Sequence, residues 1–196
     1  MDRLLAAILL AVLFAMASPA HAGSVSIGTL PASGDVAGAA GTVVGWGFTL
    51  SDTTSDWVVL NDSFFTGSTT YGSYVDYLSL SNAPLYVAGP SPESTTISQA
   101  FNPSSNPPLG LGEFDLDLFI PPGTVITGDI GVDYTLFSED PNSPSFDPDS
   151  FVATGQLFAP VTITVATPEP ASGFLMLCGM AALTRAGWRR KAPARG

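Results

Sequence analysis

The chain has 196 residues, six basic and seventeen acidic side chains, and a formal net charge of −11. Every basic residue except Arg3 lies at position 185 or later, and the single His21 and single Cys178 also fall near the ends. Residues 23–167 thus contain no Lys, Arg, His or Cys. That excludes the cations a nucleic-acid binder uses against phosphate, Ser/His/Asp and Cys/His catalysis, lysine Schiff bases and histidine metal sites. Carboxylates, hydroxyls and amides are what remain.

At the N-terminus, Arg3 precedes the apolar run Leu4–Ala17, and Ser18-Pro19 then breaks the helix ahead of Ala20-His21-Ala22. Basic residue, short apolar run and small residues at Ala20 and Ala22 predict a secretory signal cut after Ala22 by signal peptidase. The 14 apolar residues of the run fall short of the roughly 20 that span a bilayer.

Residues 23–166 have the length of one domain with a real core. Their apolar residues alternate instead of recurring at helical spacing, as in Val44, Trp46, Phe48 and Leu50 within Thr42–Leu50. Further strands are expected at Asp56–Phe65, Tyr74–Leu80, Leu85–Val87, Ser94–Phe101, Leu109–Ile120, Thr124–Phe137 and Phe151–Val165. Turn residues separate them at Ser51-Asp52, Ala88–Pro92, Asn102-Pro103, Asn106–Pro108 and Pro121–Gly123. Short strands at this spacing with no helix between them predict an all-β, antiparallel β-sandwich. Trp46, Trp57, Phe64, Phe65 and Tyr134 are expected to pack inward, since large aromatics dominate sandwich cores; a sugar-stacking platform is the alternative.

Three features carry candidate chemistry. Glu113, Asp115 and Asp117 alternate with Phe114, Leu116 and Leu118 on one strand. Neighbours in that row are about 7 Å apart, and a solvated strand face explains them better than a glycosidase pair. The loop Glu139–Asp149 is dense in oxygen ligands, with Glu139, Asp140, Asn142, Asp147 and Asp149 as calcium candidates. It lacks the glycine and terminal glutamate of an EF-hand, and a solvated acidic loop is the default expectation. Asn61-Asp62-Ser63 matches a glycosylation acceptor, a pattern common by chance.

The C-terminal stretch from Ala171 to Ala186 is apolar almost throughout and is followed by Trp188-Arg189-Arg190-Lys191. A transmembrane helix over 171–188 is expected, with its basic end cytoplasmic and Cys178 acting as a small hydrophobe within it. Directly before it stands Thr167-Pro168-Glu169-Pro170, in which two prolines forbid a helix and hold Glu169 extended.

The order Pro168-Glu169-Pro170, apolar helix, then Arg189, Arg190 and Lys191 resembles the PEP-CTERM sorting signal of Gram-negative bacteria, with Thr167 where the family often has Val. The resemblance covers residues 167–196. It implies processing by an exosortase-type membrane transpeptidase, an inner-membrane anchor before cleavage, and a final place at the cell surface or in the extracellular matrix. The phrases Gly45–Leu50 and Asp133–Asn142 look like those of exported domains bearing this tail, and bring no activity with them. The expectation is an exported, non-enzymatic surface or matrix protein with extracellular polysaccharide as a candidate partner. The alternative is a carbohydrate-binding β-sandwich module, calcium-dependent through the acidic loop.

Overall fold

The computed structural model of the protein describes residues 23–90 and 96–167. The expected cleavage residues Ala20 and Ala22, the helix over 171–188, and the sorting residues Pro168, Glu169, Pro170, Arg189, Arg190 and Lys191 lie outside these. Among the described residues no helix is long and apolar enough to cross a membrane.

The body is all-β. Among the described residues ten strands run in order as β1 (Val25–Leu30), β2 (Asp35–Gly38), β3 (Val43–Asp52), β4 (Trp57–Phe65), β5 (Gly72–Asp76), β6 (Val87–Ala88), β7 (Thr96–Gln99), β8 (Gly112–Leu116), β9 (Val125–Phe137) and β10 (Phe151–Val165). They form two five-stranded sheets. The first has the order β1-β3-β8-β5, with β7 also on β3, and the second is β2-β10-β9-β4-β6. β7 and β8 share one edge of β3, pairing with Phe48–Ser51 and Val43–Trp46 respectively. All pairs are antiparallel except β2 with β10, which is parallel because β2 returns to the second sheet after β1 has joined the first.

The alternation read from the sequence produces the core. Trp46, Phe48 and Leu50 on β3 are fully buried and meet Val58, Ile130, Val132 and Ile163 of the other sheet. Burial of such side chains contributes about 1.5–3 kcal/mol each. Trp46 Nε1 donates to the Gly34 carbonyl at 2.8 Å, so its polar atom is not orphaned in the interior. The other side of β3 is closed by Phe101, whose ring lies on Gly45 where a Cβ would stand.

Several expectations are corrected. Ser51-Asp52 is not a turn: β3 continues through Asp52, which is fully buried and accepts from the Thr54 amide at 2.7 Å. The strand expected at Tyr74–Leu80 is shifted to Gly72–Asp76, because Asp76 Oδ1 and Oδ2 accept from the Leu78 and Ser79 amides and turn the chain. β1 and β2 carry too few large apolar residues for alternation to mark them. Of the five aromatics expected inside, Trp46 is buried and Phe65 and Tyr134 pack against the core, whereas Trp57 is half-buried and Phe64 lies on the outer face of the second sheet.

Candidate functional site

β9 and β10 pair over their whole length, and β4 lies on the other side of β9. Val132 is buried and Leu157 packs against the core, so their chain neighbours Asp133 and Gln156 point outward. Register then sets side chains in rows across three strands. Gln156, Asp133 and Asp62 are cross-strand partners, and the next outward row is Phe158, Gly131 and Phe64. The outer face thus carries a polar row beside an aromatic one.

A register shift between Leu60 and Asp62 marks a bulge in β4, placing Asn61 as the extra residue. Asn61 Nδ2 donates to Thr135 Oγ1 at 2.8 Å. Around this bulge is a cleft of about 470 Å³ lined by Asn61, Asp62, Asp133, Tyr134, Thr154, Gly155 and Gln156. That volume suits one or two small-molecule units. The Tyr134 ring lies over Gly155, where any side chain would collide with it.

Two carboxylates meet in the cleft. Burial pushes the Asp62 carboxyl above its ordinary value, and the charges of Asp133 and Asp76 and a hydrogen bond with Asp133 push it further. Asp133 Oδ1 is buried without a partner among the described residues. Asp62 therefore holds a proton more readily than a free carboxyl, and the pair offers both a donor and an acceptor. Beside the cleft, Phe64 folds over Gly131 and meets Phe158 edge-on, with ring centroids 6.0 Å apart and planes at 82°. Phe158 is 53% exposed, large for an aromatic on a strand.

A second polar cluster is centred on the buried Ser63. Ser63 Oγ lies 2.6 Å from both Asp76 Oδ1 and the Leu111 carbonyl and 2.9 Å from the Tyr74 hydroxyl. Ser63 spends its one proton on an acceptor, so Tyr74 is the donor to it. Burial raises the Tyr74 hydroxyl well above its usual value and keeps it a phenol. This cluster ties β4 to β5 across the two sheets.

The residues singled out in the sequence are dispersed. Glu113 and Asp115 are half-buried on β8, and Glu113 accepts a short hydrogen bond from the Tyr77 hydroxyl. Asp117 lies one residue past the strand and is exposed, so the three alternate with buried Phe114 and Leu116 as an outward face does, half-buried at Glu113 and Asp115 and solvated at Asp117. In the acidic loop the carboxylates serve turns: Asp140 Oδ1 accepts from the Asn142 amide at 2.9 Å, Asp147 Oδ1 from the Asp149 amide at 2.9 Å, and Glu139 Oε2 from the Asp147 amide at 3.3 Å. Among the described residues no group of three or more His, Cys, Asp or Glu is placed to hold a metal ion. Of the site residues, Phe64 is among the aromatics for which sugar stacking is the alternative, whereas Asp62, Asp133, Gln156 and Phe158 escape sequence reading because register unites three distant segments; the acceptor-like Asn61-Asp62-Ser63 marks the bulge only by accident.

No family model matches the chain, and neither curated proteins nor solved structures give a match.

Proposed function

We propose that the protein is an exported, non-enzymatic cell-surface or matrix protein, sorted by an exosortase-type membrane transpeptidase through residues 167–196, whose second sheet binds a neutral extracellular glycan on its outer face. The single observation that carries the binding half is the adjacency of the Gln156–Asp133–Asp62 row to the Phe64–Phe158 pair. Sugars present hydroxyls on their edges and C–H bonds on their faces, and this surface meets the first with carboxyl and amide groups and the second with aromatic rings. With carboxylates throughout residues 23–167 and no cation, an anionic polysaccharide is repelled and a neutral one is favoured.

The binding half is tested on a glycan array carrying neutral and uronic-acid polysaccharides. Binding to neutral glycans, lost on Phe158→Ala and Asp133→Asn, is the expected result. Binding unaffected by both variants, or restricted to acidic glycans, contradicts the proposal. Mass spectrometry of the mature C-terminus in the native host tests the sorting half: a terminus near Pro168–Pro170 supports it, and an intact Gly196 contradicts it.

A further inference from the structure

The two ends of the body differ in chemistry. The chain leaves β10 at Ala166, whose amide donates to the Gly38 carbonyl at 2.8 Å, while the Gly123 amide donates to the Val165 carbonyl at 2.8 Å and the Val165 amide to the Thr124 carbonyl at 2.8 Å. These bonds fix the loop Asp117–Gly123 beside the exit point, and the Gly41 amide holds its other side through the Asp117 carbonyl at 3.1 Å. At the tip of that loop Leu118 is 72% exposed and Phe119 94% exposed. Val43, Tyr71 and Val125, also exposed, stand at strand starts on this same end. The opposite end carries the acidic loop with Glu139, Asp140, Asp147 and Asp149, together with Asp56, and its exposed apolar residues Phe151 and Val152 stand beside these carboxylates at the start of β10.

Chain length decides what faces the apolar rim. Five residue steps separate Ala166 from Ala171, where the apolar stretch begins, and even fully extended they reach about 17 Å. The headgroup zone is about 5–8 Å thick on each side of the bilayer core. An end tethered that closely, presenting Leu118 and Phe119 and turned away from the acidic loop, is placed against lipid. From these observations we infer that the Leu118-Phe119 loop inserts into the membrane interface and seats the domain upright on the bilayer while the tail is intact, its outer sheet face held perpendicular to the surface. This rests on the reading of residues 171–188 as a membrane segment.

The test uses the full chain in phosphatidylcholine vesicles, a zwitterionic surface chosen because the body has no cation to meet an anionic one. Phe119→Trp is made in a Trp188→Phe background, where Trp46 is fully buried and Trp57 lies at the far end. Brominated lipid is expected to quench the indole introduced at position 119 and to leave the matched Phe158→Trp variant unquenched. Protein that floats with the vesicles while the indole at position 119 stays unquenched overturns the inference and leaves the membrane reading of the tail standing. Protein that fails to float overturns both. Because Phe119 packs against almost nothing, the substitution tests contact with lipid and not folding.

Discussion

β3 and β4 lie in opposite sheets, face each other across the core and differ by a single residue in length, yet one makes the interior and the other makes the site. β3 keeps strict alternation from Val44 to Asp52, so one face is committed wholly to the core. β4 breaks alternation at Asn61, and past the bulge Ser63 and Phe65 turn inward while Asp62 and Phe64 are turned out beside β9 and β10. Regular pattern contributes stability, and its interruption re-aims side chains toward solvent. The same strand that opens the cleft also ties the two sheets through Ser63, so the interruption is anchored from inside.

Substitutions separate these two roles. Trp46→Ala, on the regular strand, removes the largest fully buried side chain and is expected to cost about 3–5 kcal/mol, read as a fall in the denaturant midpoint. Ser63→Ala takes the hydroxyl away from Tyr74 and Asp76 Oδ1, while the Leu111 carbonyl keeps the Tyr77 amide, and is expected to cost about 1–3 kcal/mol in the same assay. Phe158→Ala, on the outer face, is expected to change stability by no more than about 0.5 kcal/mol while weakening glycan binding about tenfold, the loss of one stacking contact. A large stability loss there would mean that the aromatic pair is a packing device and would erase the contrast with β3.

The smallest effect belongs to Asp62. Its carboxyl lies above the ordinary value of 3.8 in the folded chain, from burial first and the charges of Asp133 and Asp76 next. Folded protein therefore binds the proton more tightly than unfolded protein, and stability from this group falls as pH rises from 3.8 through the folded value. Asp62→Asn is expected to flatten that part of the pH profile and to raise Tm at neutral pH by about a degree or two, since solvent screens the pair. A thermal melt series across that pH range checks the sign; an unchanged slope would mean that neither burial nor the neighbouring carboxylates raise the Asp62 carboxyl.

Where one face of a strand faces the core, the sequence reads directly: the alternation Val44-Trp46-Phe48-Leu50 placed β3's inward side, and Phe151–Val165 matches β10 end to end. Long-range register is another matter. Asp62, Asp133 and Gln156 stand in one row only because three segments separated by dozens of residues pair in one alignment, and no local period carries that information. Glu113 and Asp115 do alternate with buried Phe114 and Leu116, and β8 ends at Leu116 before Asp117, while the dense oxygen set of Glu139–Asp149 is occupied in part by its own turns. The parallel pairing of β2 with β10 was also illegible, since Asp35–Gly38 has only Val36 as a large apolar residue to reveal its partner.

The most direct measurement is backbone amide mapping by NMR of the protein titrated with a neutral glycan that it binds on the array. Glycan held on the outer face of the second sheet gives shifts confined to residues 61–64, 131–135 and 154–158. Shifts centred on the acidic loop 139–149 or on Glu113 and Asp115, with the three-strand face silent, would contradict that placement.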